Sequence, residues 1–244
     1  HRGGRRRRQE VTPHMARKLY DLAGAEPERR FSPYCWRTKL ALAHKGLDVD
    51  TVPWRFTDKD VIAFSGQGLV PVLVDGDKTV HDSWTIANHL EDTYPDRPSL
   101  FGGAGGRAVS RLINEWAALA LTGPVARAIL MDIYERIAEK DRAYFRESRE
   151  KRFGKTLEEV AADPEGNVKA LRSALEPVRA TLKTQAFVGG DAPLYADFIV
   201  FGHLQWARCI SPLQLLAADD PVAQWRERIL AHYEVARSAP AYAA

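Results

Sequence analysis

An α/β layer followed by an all-helical half is the fold class that this 244-residue chain predicts. Three observations carry that reading. Between Lys18 and Thr93, short apolar runs of strand character alternate with helical spacing. Tyr94-Pro95-Asp96-Arg97-Pro98 and Gly102-Gly103-Ala104-Gly105-Gly106 then break the pattern. From Arg107 onward strand signals vanish and apolar residues recur at helical periods. The expected boundaries are an α/β domain over 15–94, a linker over 95–106 and a helical domain over 107–244.

Lys18–Leu22 reads as the first strand. Pro33–Lys45 reads as a helix, because proline suits a first helical position where its missing N–H costs nothing. Ser32 falls at its N-cap and Gly46 ends it. Asp48–Pro53 alternates apolar and polar residues and forms a second strand. Val72–Val74 and Thr79–His81 flank Asp75-Gly76-Asp77, a hairpin signal. Trp84–Thr93 is helical, with Asp82 or Ser83 as its cap. The order is β-α-β-(α)-β-β-α, with the last strand pair antiparallel. In the second half, Ala108–Leu121, Val125–Glu139, Arg142–Arg152, Asn167–Thr184, Tyr195–Ile210 and Pro221–Arg237 read as helices.

Composition narrows the function classes. A chain with 45% hydrophobic and 27% charged residues has an ordinary globular balance. No apolar run reaches the length of a membrane span, and no secretory signal is visible. The net charge of +3 misleads, because Arg2, Arg5, Arg6, Arg7 and Arg8 against Glu10 put +4 into residues 1–14. Met15 reads as a natural start and residues 1–14 as a tag or disordered leader. No basic patch with interleaved aromatics follows, so neither a nucleic acid nor a membrane is the expected partner. Cys35 and Cys209 lie far apart and frame no disulfide or zinc set, and the seven histidines show no metal spacing. A cytoplasmic setting is the expectation.

Three short motifs carry chemistry. Phe31-Ser32-Pro33-Tyr34-Cys35-Trp36-Arg37-Thr38-Lys39-Leu40 places a hydroxyl where a loop turns into a helix. Free backbone N–H groups and the helix dipole favour negative charge there. Leu69-Val70-Pro71-Val72-Leu73 sets a proline at the first residue of an apolar strand. The backbone just before it suits pairing with an extended peptide. His81-Asp82-Ser83-Trp84 sits where a strand hands over to a helix, with groups for an ammonium and a carboxylate. Each motif alone also reads as a plain cap or turn.

Together, in this order and spacing, the three motifs resemble the glutathione-binding domain of the cytosolic glutathione transferases. The resemblance covers roughly Arg17 to Tyr242 and implies a thioredoxin-like first domain and a helical acceptor domain. It implies glutathione as co-substrate, Ser32 as the catalytic hydroxyl, and a cis Val70–Pro71 bond whose backbone pairs with the cysteinyl part. Asp82 and Ser83 would grip the γ-glutamyl end. The holder of the glycine carboxylate is left among Arg55, Lys59 and Gln67. A homodimer is the usual assembly of the family. Tyr94-Pro95-Asp96-Arg97-Pro98 with Leu100-Phe101, and Asp219-Asp220-Pro221 with Trp225, resemble the bacterial β-aryl-ether-cleaving members, which act on lignin-derived dimers. One departure stands out: Asp197 matches a buried aspartate of the family, but Leu194 occupies its usual hydroxyl cap.

The chemistry implied is attack of a glutathione thiolate on an aromatic or hydrophobic electrophile, as in detoxification or aromatic catabolism. Candidates for the acceptor side are Tyr34 and Trp116 first, then Trp36, Leu119, Tyr134 and Trp206. The alternatives are a glutathione-dependent isomerase, a non-catalytic ligand-binding member, and a thiol-disulfide reductase working through Cys35. The last is disfavoured because Ser32-x-x-Cys35 lacks the first thiol of a dithiol pair.

Overall fold

In the computed structural model, which describes residues 17–242, four strands form one sheet. The leader expected over 1–14 lies outside the described residues. Strands β1 (Lys18–Leu22), β2 (Asp50–Trp54), β3 (Val72–Asp75) and β4 (Lys78–His81) lie in the spatial order β2-β1-β3-β4. β1 pairs parallel with β2 and antiparallel with β3, and β3 with β4 forms the expected hairpin. Parallel neighbours need a crossover, and helix α1 (Pro33–His44) supplies it. The helical turn expected between β2 and β3 is a 3₁₀ segment, Lys59–Ser65. Helix α2 (Ser83–Thr93) completes a thioredoxin-like domain.

The second domain is all-helical. Its elements are α3 (Ala104–Ala120), α4 (Thr122–Ala128), α5 (Leu130–Arg136), α6 (Glu139–Phe153), α7 (Leu157–Val160), α8 (Pro164–Ala174), α9 (Glu176–Thr181), α10 (Tyr195–Ile210), α11 (Pro221–His232) and α12 (Glu234–Arg237). The expected break after Leu121 is present: Pro124 has no N–H to give the Ala120 carbonyl, and α3 gives way to α4 there. Three segments expected as single helices, Val125–Glu139, Asn167–Thr184 and Pro221–Arg237, are broken. Pro177 separates α8 from α9. Tyr233 leaves helical geometry (φ −124°, ψ 100°), packing its ring on Phe198 and holding His44 Nδ1 at 2.8 Å through its hydroxyl. Nothing in the side-chain pattern marks the break at Ile129. The short helix α7 went unread; a capping box between Thr156 and Glu159 starts it.

The expected linker is partly helical, since α3 begins at Ala104. Gly106 allows this, because a Cβ there would sit 1.8 Å from the Phe101 carbonyl oxygen. Among the described residues, no single helix is long and apolar enough to cross a membrane.

Two helices fix the site. α1 is buried on nearly every side, between the sheet and α10. Burial of its cations is compensated individually: Lys39 Nζ lies 2.7 Å from Asp21, and Arg37 Nη1 donates to Asn114 Oδ1 at 2.8 Å. α10 passes beneath the start of α1. Gly202 permits that approach, since a Cβ there would meet the Pro33 carbonyl oxygen at 2.6 Å. α10 is itself anchored by Asp197. Its carboxylate accepts from Val188 N (2.7 Å), Gly189 N (2.8 Å), Leu194 N (3.0 Å) and Trp225 Nε1 (2.8 Å). The Leu194 side chain cannot cap, so Asp197 gathers the local donors alone. Burial pushes the Asp197 carboxyl up, and these four donors oppose that shift.

Candidate active site

Strand directions bring the three motifs to one end of the sheet. The C-terminal ends of β1 and β4 and the N-terminal end of β3 share an edge. Ser32 follows β1 through Phe31, whose N–H bonds the Leu22 carbonyl (3.3 Å). Pro71 precedes β3 and Asp82 follows β4. Because Val72 pairs with His81, Pro71 and Asp82 flank the same rung.

Ser32 is the N-cap of α1, with extended backbone (φ −64°, ψ 127°) and 5% exposure. Its Oγ accepts from Cys35 N at 3.2 Å. That bond uses an oxygen lone pair and leaves the O–H proton for a further acceptor. Trp36 N donates to the Ser32 carbonyl (2.9 Å), and Pro33 has no N–H. Tyr34 N–H is therefore the first-turn amide that donates to no other described residue.

The Val70–Pro71 bond is cis. The loop before it is set by Gln67, whose Nε2 donates to Leu69 O (2.9 Å) and whose Oε1 accepts from Leu69 N (2.7 Å). Both ends of that amide are thus occupied, and Gln67 does not line the cleft. Arg55 donates to the Gly24 and Ala25 carbonyls and is likewise occupied. Of the three candidates for the glycine carboxylate, only Lys59 lines the cleft, with its Nζ on Gly68 O (2.6 Å).

Asp82 caps α2, accepting from Thr85 N at 2.9 Å. Its φ of +69° is one that L side chains rarely adopt, a cost of about 1–3 kcal/mol that surrounding structure must offset. Ser83 is buried, and its carbonyl accepts from Tyr195 Oη at 2.9 Å. Such local strain at an exposed carboxylate is frequent at binding sites.

A cleft of about 340 Å³ opens between the domains, lined by Ser32, Tyr34 and Val70 from the first and by helices α4, α5, α6 and α10 from the second. Pro71, Asp82 and Ser83 lie outside its lining. The acceptor-side expectations divide. Tyr34 and Trp206 line the cleft. Trp36 does not: it is 2% exposed in the core, its indole N–H on Arg30 O (2.9 Å) and Lys39 Nζ 3.4 Å from its ring centre. Trp116 packs half-buried against the core, Leu119 is exposed, and Tyr134 lies beneath Arg142 and Arg146; none lines the cleft. Helical periodicity separates an inward face from an outward one, but not a core face from a cleft face.

Residues the sequence reading missed include Trp54, Phe56, Phe145, Arg149, Arg152 and Phe153. A signal existed. Phe145, Arg149, Arg152 and Phe153 fall at i, i+4, i+7 and i+8, one face of α6. Cys35 is fully buried, and burial beside Asp21 pushes its thiol far up. Cys209 is pushed up to about 11 by burial. Neither is placed for thiolate chemistry.

Family models agree with this architecture. A glutathione S-transferase N-terminal domain matches residues 27–98, and a glutathione S-transferase C-terminal domain matches residues 108–233. Glutathione S-transferase Z2 of Arabidopsis thaliana is 38% identical over 79 residues, 30% of this chain and 35% of that protein. The chain therefore spans about a third of the length of that relative. Glutathione S-transferase 4 of Zea mays is 28% identical over 207 residues, 82% of this chain and 84% of that protein. A crystal structure of a glutathione transferase from Phanerochaete chrysosporium superposes with a TM-score of 0.81 at 25% identity, covering 89% of this chain and 97% of that one. A Ceriporiopsis subvermispora glutathione S-transferase, solved in complex with glutathione, gives 0.80 at 22%, covering 89% and 97%.

Proposed function

Because the chain belongs to the glutathione S-transferase family, we propose that it conjugates the glutathione thiolate to an aromatic or hydrophobic electrophile. The observation that carries this is Ser32: its oxygen caps α1, its proton is left to donate, and it faces an apolar cleft. A free thiol titrates near pH 8.5, so only a few per cent is thiolate at neutral pH. A hydrogen bond from Ser32 to the sulfur anion contributes about 1.5–3 kcal/mol. The start of α1 adds about 0.3–1 kcal/mol. At about 1.36 kcal/mol per pKa unit, the two lower the thiol by roughly one to three units. Ser32 acts as a donor to developed charge, not as a base.

Around it, the backbone of Val70 beside cis-Pro71 pairs with the cysteinyl part of glutathione. Asp82 and Ser83 hold the γ-glutamyl end, and Lys59 takes the glycine carboxylate. The sulfur then attacks an electrophilic carbon held by Tyr34 and Trp206, with proximity supplying the orientation advantage. A β-aryl ether of lignin-derived dimers is the acceptor we favour. The aryl-rich lining, with Phe31, Trp54, Phe56 and Phe145, supports an aromatic guest. A two-fold dimer is proposed through α3, on which Val109, Leu112 and Leu119 stand exposed. The two free cysteines, both buried, are consistent with a reducing, cytoplasmic setting.

The test is the pKa of enzyme-bound glutathione, read from thiolate absorbance, in the wild type and Ser32→Ala. The variant is expected to raise it by about 1–2 units and to lower kcat/KM at neutral pH about 10–100-fold. An unchanged bound-thiol pKa would retire the reading. Incubation with a β-aryl ether dimer should release phenol with stoichiometric loss of glutathione; turnover without that loss would mark an isomerase.

A further inference from the structure

The acceptor side of the cleft carries positive charge that thiolate formation does not use. Arg149 and Arg152 of α6 line it together with Lys59, and none of the lining residues is Asp or Glu. The contrast with Arg146 on the same helix is informative, because Arg146 is paired with Glu150 and Glu158. Neither Arg149 nor Arg152 forms an ion pair with any described carboxylate. Arg149 is half-buried. Its guanidinium lies 4.5 Å from the Phe145 ring centre and 5.0 Å from that of Phe56, and Nη1 donates to Ser148 Oγ at 2.9 Å. Two aromatic faces and one hydroxyl orient this cation without neutralising it. Burial and the neighbouring Arg152 cation pull it down to about 10. The indole N–H of Trp206, in the same cleft, is buried without a partner. Cation, cation and donor face one apolar space, a constellation suited to a planar anion.

We propose that the acceptor is an anionic aromatic electrophile, its carboxylate held by Arg149 and Arg152 while its ring lies on the aromatic lining. This rests on the reading that the thiolate forms at Ser32. In the step, sulfur's lone pair forms a C–S bond, and the bond from that carbon to the leaving group breaks. The leaving group departs with the electron pair as phenolate or halide. The carboxylate is a spectator, so the total charge is the same before and after. The same arginines fit a second source of carboxylate, the glycine end of glutathione itself, and the experiment separates the two.

Intrinsic tryptophan fluorescence of the full chain, saturated with S-methylglutathione, is titrated with meta-nitrobenzoate and with its neutral isostere meta-nitrobenzamide. The wild type is expected to bind the benzoate about tenfold more tightly than the amide, the scale of one charge-assisted contact. Arg149→Gln/Arg152→Gln should bring that ratio close to one, while Arg149→Lys retains most of it. Arg152→Gln alone, at an exposed position, should lower the ratio partway and guards against misfolding of the double variant. Equal affinity for the two probes in the wild type overturns the proposal. So does a double variant that loses S-methylglutathione affinity while keeping the benzoate preference, because the arginines would then hold glutathione. Turnover of chloronitrobenzoate and chloronitrobenzamide is followed in parallel. Benzoate preference without any conjugate would sink the transferase reading and leave the anion site standing. Conjugation without preference would do the reverse.

Discussion

Replacing Asp197 with Asn is expected to unfold much of this protein without touching the cleft. The native carboxylate accepts four N–H bonds, from Val188, Gly189, Leu194 and Trp225. Asn keeps one carbonyl oxygen and turns an NH₂ toward the donors of the other. Two buried N–H groups then lose their acceptor, at about 1–3 kcal/mol each. The remaining two bonds fall from charge-assisted to neutral, about 1 kcal/mol each. The gross loss is roughly 4–8 kcal/mol, reduced somewhat because a neutral amide is cheaper to bury than a carboxylate. Against a typical total of about 5–15 kcal/mol, that is a large share. The assay is denaturant unfolding followed by tryptophan fluorescence, with Trp225 as a local reporter. Soluble Asp197→Asn protein within about 1 kcal/mol of wild type would refute the reasoning, since two unmet donors and two weakened bonds cannot be that cheap.

Gly202→Ala places a methyl 2.6 Å from the Pro33 carbonyl oxygen; overpacking of this kind costs about 1–3 kcal/mol. The displaced start of α1 should lower kcat/KM by up to about 100-fold, measured beside a melting curve. His203 is held neutral, its ring nitrogens on Thr122 Oγ1 and Ile199 O at 3.0 Å each, and burial depresses it to about 3. Between that value and the ordinary 6.5 the unfolded chain binds the extra proton, so stability should fall as pH drops, by about 1.4 kcal/mol per unit. The pH dependence of the unfolding midpoint in wild type minus that in His203→Gln isolates this slope, and identical slopes would contradict it. Cys35→Ser should conjugate glutathione at close to the wild-type rate, because the thiol is buried and protonated; abolished turnover would instead favour a redox role.

The order of strands and helices was legible because each motif sits at a junction with its own local chemistry. Pro33 announces a first turn, Asp75-Gly76-Asp77 a hairpin, and Asp82 a cap. The cis bond at Val70–Pro71 could be expected only by resemblance, since nothing local to those two residues requires it. Sequence failed where the outcome depended on what lies across the chain. Trp36 and Tyr34 are near neighbours on one helix, yet only Tyr34 faces the cleft. Gln67 carries an amide suited to a ligand, but its own loop consumes it. Nothing in the sequence singles out Arg149 from the other arginines of α6; its place against Phe56 depends on how that helix packs across the cleft.

Helix α1 belongs to the sheet by sequence and to both halves by burial. Its outer side, where a free-standing domain would meet water, is filled by α10. The boundary near the linker is therefore no seam along which the chain can be cut. A first half made alone would strand Arg37 without Asn114, and His44 without Phe198 and Tyr233. Grafting it onto another helical partner would demand a glycine opposite Pro33. By contrast, α6 meets the reaction space from the far wall, so acceptor preference can drift there while the nucleophile's seat stays locked.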